Sequence, residues 1–382
     1  MHVVGGLYKE LCTIPYWNAT FGSGGRAAAV ISGFFKNVTL HTYAKDASNE
    51  GIAFLKRLGI DVIAKPRGAD IAFAYFHPLS RPYIEPNLNQ IELVEPIKVS
   101  GNTVLRFGFV EGDAIVSADR AVYDPQSWRN LQPFEANGSQ ANQLTIVLNE
   151  LELTSVTGFD DLRAAAVSIF NSQKVAYVIV KRGIKGAIVF EPNGQFKAIP
   201  CYRSESVFKI GTGDVFSAVF TYFWGEEKLS PFEAADFASR AVAAYCNNLG
   251  GLPLGHGMLN DLAPWSFEQV GVVQIEGNIN TLGTRYTLEE ASYVLKDLGV
   301  EVYCPALLKA TYPSPSAILI LADGLGKRLE AVVTEAKNLS RPIVILCEDV
   351  SLLNWLIEKD NIFITTDFST SLYYAAWVAS EQ

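Results

Sequence analysis

Gly211-Thr212-Gly213-Asp214 sets a glycine-rich turn and one carboxylate ahead of an apolar run, Val215 to Trp224. That pattern predicts a buried helix with Asp214 in its first turn. The first N–H groups of a helix lack partners within it, and the helix dipole adds partial positive charge there. Glycines let such a backbone approach an anion closely. A carboxylate at the same place can take a proton from an attacking hydroxyl. The turn and the carboxylate are two parts that phosphoryl transfer needs. Thr212 and Asp214 would also suit a plain helix cap.

The chain must bury a core large enough to hold such a turn rigid. At 382 residues and 49% hydrophobic it suits two folded domains. A formal charge of −9, with no Lys/Arg cluster, argues against a nucleic-acid partner. Five scattered cysteines without a C-x-x-C predict reduced thiols and a cytoplasmic protein. The four histidines are equally scattered, so no zinc site is expected. No signal peptide is legible after Met1, and no apolar run reaches the length of a membrane span.

Residues 1–265 alternate short apolar strands with helical patterns, which predicts βαβ units and a mostly parallel sheet. Strands are expected at 38–43, 60–64, 146–148, 176–180 and 187–190, and helices at 49–58, 160–171, 215–224 and 231–247. Ser230-Pro231-Phe232-Glu233 reads as a capping box opening the last of these. Three strand-like stretches without intervening helices, 71–76, 91–94 and 103–110, predict an antiparallel flap within 70–112. A boundary is expected near 264–269. A second α/β pattern follows over 270–382. It has five expected strands and a helix opened by Thr287-Leu288-Glu289-Glu290, a compact doubly wound unit.

On these residues the first part resembles the PfkB (ribokinase-like) carbohydrate and nucleoside kinases. Gly211 to Asp214 and Phe216-Ser217-Ala218-Val219-Phe220 resemble the family's C-terminal signature. Asn149-Glu150-Leu151-Glu152 resembles its N-x-x-E motif, and Val180 to Gly186 its strand-and-glycine segment. Gly24-Gly25 resembles the N-terminal di-glycine, and Asp124-Pro125 the end of its central strand. The resemblance implies a ribokinase-like α/β fold with a β-strand lid, and ATP and Mg²⁺ as cofactors. Asp214 would be the base, with Gly211, Thr212 and Gly213 as the anion hole. Asn149 and Glu152 would help hold Mg²⁺. Lys181, Gly183, Gly186 and Asn247 would lie at the nucleotide. Glu10, Gly24 and Gly25 would face the acceptor, with Asn18 as the other candidate for the first-loop carboxylate. Departures fall at Phe208 or Lys209, where the family has an aspartate, at Ala29 for its asparagine, and at Lys181 for its threonine.

Residues 270–382 resemble the nucleoside 2-deoxyribosyltransferases, with a flavodoxin-like layout. Glu276-Gly277, Glu289-Glu290-Ala291, Gly299 to Pro305 and Ala322-Asp323-Gly324 carry the likeness. It implies a ligand site at Gly277, Asp323 and Gly324. The position of that family's glutamate nucleophile is Val332, on the apolar face formed by Leu329, Val333, Ala336 and Leu339. Glu330 and Glu335 point elsewhere on the helix.

The expected activity is ATP-dependent transfer of phosphate to an alcohol of a small sugar or nucleoside, with an accessory nucleoside-binding domain. The partners are small molecules, with no membrane and no nucleic acid, and a homodimer is left open. The rival readings are a non-catalytic nucleotide or nucleoside sensor, and an N-glycosidase or deoxyribosyltransferase activity in the second part.

Overall fold

Glycine, proline and short apolar runs break the chain into the elements of two compact units in a computed structural model. It describes residues 1–46, 49–126, 131–265, 267, 269–307, 314–356 and 361–381. One unit comprises 1–204 and 208–264, the other 205–207 and 265–382. Residues 266 and 268, within the expected boundary, lie outside the described residues.

The first unit is built on a nine-stranded sheet. Its strands are β1 (His2–Val4), β4 (Thr39–Ala44), β5 (Asp61–Pro66), β8 (Ile97–Phe107), β9 (Ala114–Asp124), β10 (Gln140–Asn149), β11 (Tyr177–Lys181), β12 (Ala187–Phe190) and β13 (Phe196–Ile199). The order is β13-β12-β11-β10-β9-β8-β1-β4-β5. All pairs are parallel from β5 to β11, and β12 and β13 add an antiparallel edge. Central strands such as β11 are buried along their middles, as parallel strands covered on both faces must be.

Two helices frame the glycine turn. In α1 (Gly22–Ser32) every residue from Gly22 to Ile31 is buried. Its small side chains let it pack tightly on α5 (Thr212–Thr221), which is buried except at Gly213 and runs into a π-helical turn at Tyr222–Glu226. The α6 helix (Pro231–Asn247) opens at Ser230 with the expected capping box.

The flap differs from expectation. It is a four-stranded sheet, β3-β2-β6-β7, made of β2 (Lys9–Cys12), β3 (Trp17–Thr20), β6 (Ala72–Tyr75) and β7 (Tyr83–Glu85). Two of its strands thus come from the N-terminal loop. The stretch 103–110 instead enters the main sheet as the end of β8, where Thr103 to Phe107 are buried without interruption. Residues 91–94 form no strand, and Leu93 is exposed.

The second unit carries five parallel strands: β16 (Val272–Glu276), β17 (Glu301–Tyr303), β18 (Ala317–Leu321), β19 (Ile343–Leu346) and β20 (Ile362–Thr365). The two-residue strands β14 (Cys201–Tyr202) and β15 (Pro264–Trp265) precede them in the chain. The order β17-β16-β18-β19-β20 reverses direction between β16 and β18, the switch point where open sheets of this kind take ligands. One helix start was misplaced: α7 spans Leu282–Asp297 and is capped by Thr281 with Thr284, so Thr287 lies inside it. The earlier threonine pair offers the same capping chemistry a turn and a half upstream. In α8 (Leu329–Asn338), Val332 packs in the core with Leu329, Val333 and Ala336, whereas Leu339 is exposed at the helix end.

Candidate active site

The start of α5 is fixed by a left-handed turn. Gly211 has φ +77°, and a Cβ there would fall 2.1 Å from Arg26 Nε. Alanine at 211 would meet both the backbone strain, about 1–2 kcal/mol, and the guanidinium. Gly211→Ala is expected to lower the thermal midpoint, checked by thermal denaturation beside the native protein.

Asp214 follows, buried in the first turn of α5. Its Oδ2 accepts from Arg26 Nη1 at 3.1 Å, and its Oδ1 from Gln126 Nε2 at 2.8 Å. Burial pushes its carboxyl up to about 6, and the charges of Asp124 and Glu10 add to this, while Arg26 and Lys181 pull it down. It therefore ionises just below neutrality, where a general base works best.

Arg26 organises this corner. It is 1% exposed, and its guanidinium stays protonated: burial opposes the charge, but Glu10, Tyr245 and Asp214 favour it. Nη1 donates to Glu10 Oε1 at 2.9 Å, Nη2 to Glu10 Oε2, and Nε to the Tyr245 hydroxyl at 3.0 Å. Glu10 in turn accepts from the Gly22 N–H at 3.1 Å and from Trp17 Nε1 at 3.2 Å. A cavity of about 190 Å³ lies against this group, lined among others by Tyr8, Glu10, Tyr75, Gln126, Gly213 and Asp214.

A second ion pair sits behind the turn. Asp124, at the end of β9 and 1% exposed, accepts from Lys181 Nζ and from Ser217 Oγ, each at 2.7 Å. Burial works against the Lys181 charge, but Asp124 and Glu152 outweigh it and raise its pKa. A Cβ on Gly213 would stand 3.3 Å from Lys181 Nζ, so the ammonium lies beside the glycine turn. Lys209 Nζ donates to Thr212 Oγ1 at 3.1 Å.

The cavity brings Glu10, Gly211, Gly213 and Asp214 together, and Lys181 and Thr212 adjoin the same turn. Of the two candidates for the first-loop residue, Glu10 faces this cavity. Asn18 borders another of about 460 Å³, off Lys9 and Arg57. Gly24 and Gly25 do not reach the site. A Cβ on Gly24 would fall 2.5 Å from the Gly5 carbonyl, and one on Gly25 2.7 Å from Leu7 Cδ1, so both serve close packing of α1. Gly22 and Ser23, two residues earlier, line the cavity instead.

Asn149 and Glu152 act as a helix cap. The Asn149 side chain accepts from the Glu152 N–H, and Glu152 Oε2 from the Asn149 N–H, each at 2.8 Å, at the start of α3 (Glu150–Thr157). Among the described residues no three His, Cys, Asp or Glu gather as metal ligands. Gly183 and Gly186 frame a tight turn after β11, both at positive φ, and Asn247 ends α6 in an exposed position. None of the three lines the cavity at Asp214.

In the second unit, Gly277, Asp323 and Gly324 stand together at the ends of β16 and β18. Asn278 Nδ2 donates to the Gly324 carbonyl at 2.5 Å, and Asp323 Oδ2 accepts from the Glu348 N–H at 2.9 Å. Glu330 and Glu335 are exposed on α8.

Sequence reasoning missed Arg26, Gln126 and Asp124 as site residues. Arg26 was legible as the one charge in a helix of glycine, alanine and valine, where only a paired arginine is stable.

Residues 116–252 match the model of the pfkB family carbohydrate kinases. None of the curated proteins gives a match. Solved structures similar to this chain include ribokinase from Thermotoga maritima (21% identity, 68% of this chain and 97% of that one, TM-score 0.47). Fructokinase from Vibrio cholerae in fructose, ADP and calcium ion bound form is 14% identical, over 68% of this chain and 97% of that one, with a TM-score of 0.47. The tetrameric inhibited form of phosphofructokinase-2 from Escherichia coli is 15% identical, over 68% and 96%, with a TM-score of 0.48.

Proposed function

We propose that the first unit is an ATP-dependent phosphotransferase that places the terminal phosphoryl group on a hydroxyl of a small sugar. The observation that carries this reading is Asp214, ionisable near neutrality, held in a cavity at the start of α5 beneath the glycine turn. The family match over 116–252 supports it.

Asp214 accepts the proton as the hydroxyl attacks. Gln126 and Arg26 fix the plane of its carboxylate, so one orientation is presented to the acceptor. The N–H groups of Gly213 and Asp214, which find no backbone acceptor among the described residues, face the charge that develops on the moving group. Lys181 and Lys209 flank the same turn and add positive charge on the donor side. ATP, when bound, supplies the phosphoryl group and a good leaving group.

The test is transfer from γ-labelled ATP to a panel of sugars and polyols by the full-length protein. Label must appear in the acceptor, and its rate of appearance must fall by at least about 10²-fold with Asp214→Asn. Transfer that survives the substitution undiminished sinks the assignment.

A non-catalytic sensor remains the rival, because both Asp214 oxygens and every nitrogen of Arg26 are already engaged. Tight ATP binding without transfer to any acceptor would favour it. For the second unit we propose a nucleoside-binding role at Gly277, Asp323 and Gly324. Burial of Val332 where a nucleophile would stand argues against glycosyl transfer there. Release of free base from a nucleoside panel would reverse that view.

A further inference from the structure

The acceptor end of the cavity has an unbalanced charge. Two buried carboxylates, Glu10 and Asp214, share one guanidinium. Every nitrogen of Arg26 already donates within the protein: Nε to Tyr245, Nη2 to Glu10, and Nη1 to Glu10, Gly22 and Asp214. An anionic acceptor would meet two carboxylates and, among the described residues that line the cavity, no cation beyond Arg26. Lys181 and Lys209 stand outside its lining: Lys181 lies behind the turn on Asp124, and Lys209 donates to Thr212.

Three aromatic rings share the wall with Ser23, Gln126 and Ile210. Tyr8, Phe73 and Tyr75 line the same space, and Tyr8 and Phe73 pack with ring centroids 5.2 Å apart. Aromatic faces attract cations through their quadrupole. The volume of about 190 Å³ lies below the ~300–1,000 Å³ of pockets for drug-sized ligands.

We propose that the acceptor is a monosaccharide-sized polyol bearing an ammonium group, which pairs with the carboxylate surplus of Glu10 and Asp214. The inference deepens the kinase reading and rests on it for the word acceptor. Its charge preference is read by binding alone.

The test is calorimetric titration of the full-length protein at pH 7.5 with three matched ligands in hexitol and pentitol series: 1-amino-1-deoxy-alditol, alditol, and alditol phosphate. The amine is expected to bind at least about tenfold more tightly than its parent, and the phosphate more weakly than either. In Glu10→Gln the cluster becomes one carboxylate with one guanidinium, and the preference for the amine should shrink to about twofold. An alditol phosphate that outranks its parent overturns the proposal. So does an amine that gains nothing in either series, or a preference unchanged in Glu10→Gln. Absence of label transfer from ATP, with the binding order intact, would count against the kinase reading alone.

Discussion

Asp214→Asn should lose phosphoryl transfer by about 10²–10⁴-fold, the range ascribed to a general base, and should also melt at a higher temperature than the native protein at pH 7.5. The second half follows from linkage. The Asp214 carboxyl is raised from 3.8 to about 6 in the fold. Between those values the folded chain binds more protons than the unfolded one, so stability falls as pH rises through that window. The loss is about 3 kcal/mol, at ~1.4 kcal/mol per pH unit. Asparagine carries no proton to lose, and it leaves Arg26 paired one to one with Glu10. The variant should therefore exceed the native protein by several degrees above pH 6, and the gap should close below pH 4. Thermal denaturation from pH 4 to 8 measures both curves. A variant that melts lower than the native protein at pH 7.5 would show that Arg26 stabilises the carboxylate more than burial penalises it.

How much of this site could be read in the sequence depended on what each residue answers to. The turn at Gly211 and the helix after it were legible because glycine at positive φ and an unbroken apolar run are local signals. The capping box at Ser230 was legible for the same reason. The pairing of Glu10 with Arg26 joins β2 to α1, and that of Arg26 with Asp214 joins α1 to α5, 188 positions on. No local pattern encodes such contacts. The di-glycine at 24–25 was equally visible, but Gly24 packs on the backbone of Gly5 and neither glycine lines the cavity. The flap was partly legible because alternation marks strands without marking partners. Whether 103–110 joined the lid or the main sheet was decided by burial on both faces, which only the assembled sheet supplies. Asn149 and Glu152 matched a motif in sequence and formed a capping box in space, since a cap and a metal ligand call for the same oxygen atoms.

Arg26→Met should be the most damaging single change in the unit. It leaves Glu10 and Asp214 buried without their shared guanidinium, with Lys181 the remaining cation acting on Asp214, a loss of about 3–5 kcal/mol for a broken buried pair. Asp214 also loses its principal cationic neighbour, so its pKa must climb above its present value of about 6. The acidic limb of the kcat/KM profile should move to higher pH, and Arg26→Lys, which keeps the charge, should move it less. Packing alone would lower stability without shifting that limb. The triple variant Arg26→Met, Glu10→Gln, Asp214→Asn separates the two further. Replacing a whole buried charge cluster with neutral groups is often harmless, whereas removing one member is not. The triple variant should recover most of the stability that Arg26→Met loses, while remaining inactive. Denaturant unfolding of the native protein, the single and the triple variant supplies the comparison. Equal destabilisation of single and triple variants would mean that the arginine acts through its packing against Phe21 and Gly211, not through its charge.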